Sequence, residues 1–265
     1  MIQSSQPGRA CALTIAGSDP SGGAGMQADL KTFHQFGVYG MAAVTLLTVQ
    51  NTQRVSRVEI LSPELITGQI AAVLEDIPPH AVKTGALGNS AVIEAVAQFH
   101  FPCPLVVDPV MISKHGAPLI GTEARSALIT HLLPKTALLT PNLHEAEVLA
   151  GIEVTNLPQM QEAALRIADL GAASVLIKGG HLEGDALDLL YHQGGFHCFT
   201  APRHNTAHTH GTGCTYSAAI TALLASGEQL TDAISVAKAF ISNAIESNPG
   251  LGHGHGPVNH WANPV

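Results

Sequence analysis

Positive charge is scarce in this sequence. Twelve Lys and Arg stand against 20 Asp and Glu, a formal net charge of −8. Nucleic-acid backbones are gripped mainly by clustered Lys and Arg, so a broad nucleic-acid-binding role is excluded. Cysteine is sparse too. Cys11, Cys103, Cys198 and Cys214 show no CxxC spacing, which excludes a disulfide framework or zinc ribbon and points to reduced thiols. No apolar run reaches the length of a membrane span, and the opening "MIQSSQPGRA" has no apolar signal core. A cytoplasmic protein without membrane partners is expected. Several catalytic signatures are also missing. There is no HExxH, no GxGxxG followed by the acid of a dinucleotide site, and no Walker A lysine, which disfavours zincins, Rossmann dehydrogenases and P-loop NTPases.

What is present is apolar residue and glycine. Hydrophobic residues make up 46% of the 265, against 12% charged, enough for a large core. The 26 glycines and 16 prolines are spread along the chain, as in a protein with many turns and no disordered linker. Short apolar runs alternate with helical patterns. "ALTIAG", "MAAVTLLTVQ", "AVKTG", "PLVVDPV", "TALLT" and "ASVLIKGG" read as strands, and "VSRVEIL" as an alternating, half-buried one. Between them, "GAGMQADLKTFHQFG", "PELITGQIAAVLEDI", "SAVIEAVAQF", "TEARSALITHLL", "HEAEVLAG" and "PQMQEAALRIADLG" read as helices. "DALDLLYH" and "GGFHCFTA" suggest a hairpin around Gln193–Gly194, and two helices close the chain. This rhythm predicts an α/β fold, a mostly parallel sheet with helices on both faces. No composition shift marks a boundary, so residues 1–265 are expected to form one domain with a flexible segment at 1–10.

In open parallel sheets ligands gather beyond the carboxyl ends of the strands. Gly17, Gln50, Lys83–Thr84–Gly85, Asp108, Thr140–Pro141–Asn142 and Lys178–Gly179–Gly180 each end an apolar run. Together they outline one cleft. "GTGCT" at 211–215 adds a glycine turn opening a helix, whose amides at Gly211, Thr212, Gly213 and Cys214 suit an anion; an ordinary glycine N-cap is the alternative. The tail "GHGHGPVNHW" reads as a surface loop in preference to a metal site. Asp108, Asn142 and Glu145 offer hard oxygens suited to Mg²⁺, often through water. Turn formation by Asp108 and helix capping by Asn142 are the competing readings. Lys178, between a strand and two glycines, suits an anion.

The segments "AGSDPSGGAGMQADLKTF", "TVQNT", "VKTGALG", "VVDPVM", "TPNLHEAEVL", "IKGGH", "HGTGCTYSAAI" and "GHGHGPVNH" occur in an order that resembles the hydroxymethylpyrimidine/phosphomethylpyrimidine kinases. These are thiamine-pathway enzymes of ribokinase-like fold. The resemblance spans nearly the whole chain, from about Ala12 to His260. It implies ATP as co-substrate, Mg²⁺, a small pyrimidine substrate phosphorylated twice in one site, and a homodimer. It also implies that Cys214 is the catalytic residue, above an anion hole at 211–213. Gln50 is similar to the glutamine that reads the pyrimidine, and Gly17, Ala24, Asp29 and Val110 to other positions of the substrate pocket. Asp108, Asn142, Glu145 and Lys178 resemble the residues around Mg²⁺ and the ATP phosphates, with Asp108 and Glu145 meeting the metal through water. One departure stands out. Ala86 follows "VKTG" where relatives commonly carry methionine, leaving room for a larger ring such as pyridoxine or pyridoxal. A pyridoxal-type kinase is therefore the alternative enzyme, and a vitamin-precursor binding protein the non-catalytic one. At the helix start a thiol pKa is expected to fall, and an approaching phosphate to raise it again.

Overall fold

The computed structural model describes residues 8–111, 121–180 and 184–264. Residues 1–7 of the expected flexible N-terminal segment, and His181 of the "IKGGH" segment, lie outside the described residues. Within the described part, the expected alternation of strands and helices is present. The first half runs β1 (Cys11–Ser18), α1 (Gly25–Gln35), β2 (Tyr39–Gln50), β3 (Val55–Ile60), α2 (Pro63–Asp76), β4 (Ala81–Thr84), α3 (Ser90–Ala97) and β5 (Leu105–Val107). The second half runs α4 (Thr122–Ala127), β6 (Leu138–Leu139), α5 (Leu143–Ala150), α6 (Leu157–Asp169), β7 (Ser174–Gly179), β8 (Ala186–His192), β9 (Gly195–Ala201), α7 (Thr212–Ala225) and α8 (Leu230–Glu246).

The strands form one sheet in the order β3-β2-β1-β4-β5-β6-β7-β8-β9. Strands β2 through β7 pair in parallel, while β3, β8 and β9 are antiparallel. The central strands are apolar on both faces because both faces are covered. Leu13, Ile15, Val82, Val107, Leu139 and Ile177 pack toward α2–α6. Ala12, Val106, Leu138, Leu176 and Leu190 face the layer of α1, α7 and α8. The chain leaves β1 toward β2 on one side and takes up β4 on the other. That reversal places a crevice beyond the carboxyl ends of β1 and β4, where Gly17 and Lys83–Gly85 lie.

Two local readings need correction. The alternation of "VSRVEIL" suggests a half-buried strand, yet Val58 and Ile60 are exposed, because β3 is the edge strand and no helix covers it. "TEARSALITHLL" does not continue as one α-helix. It loosens into a π turn at Leu128–Leu132 and tightens into a 3₁₀ turn at Leu133–Lys135. Pro134 has no N–H to continue the ladder. The hairpin turn forms as read, with Gln193 (φ 49°) and Gly194 (φ 79°) both left-handed, the type I′ signature. No helix among the described residues is long and apolar enough to cross a membrane.

Candidate active site

Helix α7 begins at the glycine turn, and its opening is made by contact. Gly211 has φ 80° and ψ 6°, and a Cβ there would lie 1.7 Å from the carbonyl oxygen of Gly23. No side chain could occupy the position without parting the turn from the "GSDPSGGAG" loop. No side chain caps the helix start; the Thr212 N–H turns back to Thr209 O at 3.3 Å, while the positive end of the dipole stays open. The hydroxyl of Thr212 also donates to Thr209 O, at 2.8 Å. A Cβ on Gly213 would stand 3.3 Å from Lys178 Nζ and 3.7 Å from Asp108 Oδ2. Glycine here keeps open the space between the helix start and a charge pair.

That pair joins two strand ends. Lys178 Nζ donates to Asp108 Oδ1 at 2.9 Å. Thr140 Oγ1 and Ser217 Oγ lie 3.5 Å from the two oxygens of Asp108. Lys178 is held above the ordinary lysine range, because Asp108 and Glu145 outweigh the burial that disfavours its charge. Asn142 and Glu145 form a reciprocal capping box at the start of α5. Glu145 N donates to Asn142 Oδ1 and Asn142 N to Glu145 Oε2, each at 2.8 Å. The geometry thus gives the Asn142 side chain a capping part. Glu145 is buried, and burial together with Asp108 raises its carboxyl to about 7 despite Lys178 and the N–H groups of Asn142 and Met111.

Cys214 sits one residue beyond Gly213, partly exposed, and the Gly25 N–H faces its sulfur. The direction of its pKa differs from the sequence expectation. Burial raises the thiol to about 11, with Asp108 and Asp29 adding to burial and Lys83 opposing. Loss of solvation outweighs the helix dipole, and the resting group is a thiol. Beneath it Asp29 is fully buried, accepting from Thr14 Oγ1 at 2.6 Å and Lys83 Nζ at 3.0 Å. Asp29 therefore lies under the pocket wall and is neutralised by a lysine that sequence reading marked only as a strand end. Gly17 lines the same corner, since a Cβ on Gly25 would meet Gly17 O at 2.3 Å.

Gln50 ends β2 half-buried, its side-chain amide nitrogen 3.3 Å from His210 Nε2. His210 Nε2 is 2.8 Å from Asp19 Oδ2, which also accepts from Gly23 N and Ala24 N. Asp19 and His210 were not singled out from sequence. Their available signal was position, one inside the glycine loop and one beside the glycine turn. Val110 lines a small cavity at the ends of β4 and β5 with Thr84, Gly85 and Asp108. Half-buried Ala86 gives its carbonyl to Thr45 Oγ1 at 2.6 Å. A hollow of about 420 Å³ between α3 and α4, lined by Ser90, Glu94, Glu123 and His131 among others, lies away from these strand ends and has no Lys or Arg in its lining. In the tail, His253 and His255 are exposed as a surface loop requires, but Val258 and His260 are buried, with His260 Nε2 3.1 Å from Thr215 Oγ1. The surface-loop reading holds only for the first part of the segment.

The donor set bears on a metal. Among the described residues no three His, Cys, Asp or Glu side chains cluster to hold an ion. Asp108 is engaged by Lys178, and Glu145 by backbone amides. Two partly committed carboxylates do not make a closed protein cage. They do fit Mg²⁺ brought by phosphates and met through water, the usual style of Mg²⁺ binding.

An uncapped helix start, a lysine–aspartate pair across a glycine and a thiol beside them meet along the carboxyl edge of a parallel sheet, and this arrangement defines a ribokinase-like small-molecule kinase. The comparisons sharpen this. The phosphomethylpyrimidine kinase family model matches residues 19–259. The hydroxymethylpyrimidine/phosphomethylpyrimidine kinase of Bacillus subtilis (strain 168) is 47% identical over 257 residues, covering 95% of this chain and 94% of that one. Among solved structures, the pyridoxal kinase of Staphylococcus aureus in complex with AMP-PCP and pyridoxal superposes with a TM-score of 0.89 at 38% identity, covering 96% and 94% of the two chains. The phosphomethylpyrimidine kinase of Clostridium difficile 630 gives 0.80 at 44% identity, covering 89% and 100%. The chain belongs to the phosphomethylpyrimidine kinase family.

Proposed function

We propose that the enzyme transfers the γ-phosphoryl group of ATP to the hydroxymethyl oxygen of 4-amino-5-hydroxymethyl-2-methylpyrimidine. It then phosphorylates the monophosphate to the diphosphate, on the way to thiamine diphosphate. The observation that carries this reading is the open space at Gly213, bounded by the α7 amides, Lys178 and Asp108. Amide donors and a lysine converge there, as a transferring phosphoryl group requires. Gly211, Thr212 and Gly213 supply the anion hole, and Lys178 neutralises charge that spreads onto the phosphoryl oxygens. Mg²⁺ arriving with the nucleotide would be held through water by Asp108 and Glu145 and would supply further neutralisation. Asn142 holds Glu145 in place.

Cys214 handles the proton. In its thiolate form the sulfur takes the hydroxymethyl proton while that oxygen bonds to the γ-phosphorus and the bond to ADP breaks. The resulting thiol returns its proton to water. Because the resting group is a thiol, the reactive form is a small fraction at neutral pH. Gln50 reads the aminopyrimidine edge by donating and accepting at once, and Gly17, Ala24 and Val110 shape the pocket, with Asp29 behind it. The continuous nine-stranded sheet supports reading residues 1–265 as one domain. A homodimer through β2 and β3 fits the exposed Tyr39, Leu47, Val49, Val58 and Ile60 there, and a cytoplasmic location fits the reduced cysteines.

Ala86 favours a second substrate class. A small side chain leaves room for a pyridoxal-sized ring, and apolar pockets discriminate by only about 1–3 kcal/mol per methylene. An ADP-release assay with hydroxymethylpyrimidine, its monophosphate and pyridoxal tests both readings. Turnover of both pyrimidines, with weaker pyridoxal turnover that Ala86→Met suppresses, is the expected result. ADP release with pyridoxal alone would overturn the pyrimidine assignment.

A further inference from the structure

His210 is buried at 3% exposure and fixed from several sides. Its backbone N–H donates to Gly256 O at 3.0 Å, and its carbonyl accepts from Val258 N at 3.3 Å. A Cβ on Gly23 would lie 2.5 Å from its Cδ2, so the glycine loop lies flat against the ring. Its Nε2 lies 2.8 Å from Asp19 Oδ2 and 3.3 Å from the Gln50 amide nitrogen.

Asp19 decides where the proton is. Its Oδ1 accepts from Ser21 N at 2.9 Å and Ser21 Oγ at 2.7 Å, and its Oδ2 from the amides of Gly23 and Ala24. Burial works against its charge, but hydrogen bonds from His210 and Ser21 prevail and hold the carboxyl below its usual range. Asp19 is an ionised acceptor, and an unprotonated Nε2 at 2.8 Å would set lone pair against lone pair. Nε2 therefore carries hydrogen and donates to Asp19. A nitrogen that donates cannot accept from the Gln50 amide nitrogen. Turning the amide by 180° puts its oxygen beside the Nε2–H, which Asp19 and Gln50 then share as a bifurcated donor.

We infer that His210 is a positioning residue for substrate recognition, orienting the Gln50 amide with its oxygen toward the imidazole and its N–H₂ toward the ligand. The amide then donates to a ring nitrogen and keeps one oxygen lone pair for a neighbouring amino group. The reverse orientation would set N–H₂ against the ligand's amino donor and lose both contacts. Asp19 fixes the histidine and the glycine loop together, so the orientation is built before the ligand arrives. The inference rests on the reading of Gln50 as the pyrimidine-recognising residue.

A double-mutant cycle in the full chain tests it, with His210→Phe, Gln50→Leu and the double variant. Binding of hydroxymethylpyrimidine without nucleotide is read by calorimetry, and KM for the pyrimidine and for ATP by turnover. His210→Phe is expected to weaken pyrimidine binding about tenfold with ATP KM unchanged, and to add nothing in the Gln50→Leu background. Losses that multiply, or an equal rise in ATP KM, would overturn the inference while leaving Gln50 its role. Intact pyrimidine binding in Gln50→Leu would overturn that role and the inference with it. The wild-type chain gives an answer that depends on no variant, through the ¹⁵N resonances of His210. A protonated Nε2 is expected, and a bare one sinks the inference.

Discussion

Of the three buried lysine–aspartate pairs among the described residues, two involve adjacent strands on one face of this sheet. Lys178 of β7 pairs with Asp108 at 2.9 Å, and Asp188 of β8, the register partner of Lys178, pairs with Lys238 of α8 at 2.6 Å. Both are largely buried, and in each the lysine meets its carboxylate directly. Their surroundings differ. Asp188 also accepts from Gly179 N at 3.1 Å, and the Tyr216 ring covers the site with its centroid 6.0 Å from Lys238 Nζ. Around Lys178 the space toward α7 is kept open by Gly213, Glu145 adds a second carboxylate, and the helix start adds unspent amides. Burial of charge is common to both pairs. Unfilled space beside the charge belongs to one, and that is what separates a site from a structural strut.

The largest effect expected falls on the open side. Cys214→Ala should lower kcat about 10²–10⁴-fold, the usual yield of a positioned base, with ATP affinity little changed because the anion-binding groups are backbone. In the wild type, turnover should climb as pH rises below about 11, since the reactive thiolate is the minor form. A flat profile measured with saturating substrates would remove the base assignment. Next come the two lysines. Lys178→Met should cost about 10²–10³ in kcat, as for a lost transition-state donor, with a modest stability loss near the open crevice. Lys238→Met should do the reverse, losing about 3–5 kcal/mol in denaturant unfolding because it strands Asp188, with kcat per folded molecule preserved. Similar behaviour of the two variants in both assays would erase the distinction.

The smallest effect concerns Glu145. A carboxyl raised to about 7 from 4.5 binds its proton more tightly when folded. Stability is then full below the unfolded pKa and declines as pH rises toward about 7. Glu145→Gln keeps the size and the capping acceptor without the charge. Its Tm relative to wild type should therefore improve on going from about pH 5 to about pH 8. A pH-independent difference between the two melting curves would contradict the buried charge.

Much of this was legible in the sequence because apolar runs and glycines report backbone geometry directly. β1, β4, β5 and β7 read correctly as strands since both their faces are buried. β3 also read correctly as a strand, but its burial did not, because alternation records side-chain character and cannot tell an edge strand from a covered one. At the site, the strand-end positions of Asp108 and Lys178 and the glycine turn were visible as spacing. The Asn142–Glu145 box was legible too, as the capping alternative to a metal role for Asn142. The Lys83–Asp29 pair and the Asp19–His210 contact were not, because each joins segments whose meeting depends on packing. The thiol pKa moved against expectation for the same reason. A helix start can be read from sequence, but the desolvation around it comes from the folded neighbours.

The central claim is that the space beside Lys178 and Asp108 is the phosphoryl site, and Gly213→Ala tests it most directly. Gly213 lies in the first turn of α7 without a left-handed φ, so alanine suits the backbone and favours the helix by up to about 1 kcal/mol. Its methyl would stand 3.3 Å from Lys178 Nζ, in the path of a phosphate. The account predicts a variant that melts no lower than wild type, yet binds ATP weakly by titration calorimetry and turns over the pyrimidine at least 10²-fold more slowly. Wild-type ATP affinity and turnover in a well-folded Gly213→Ala chain would contradict it.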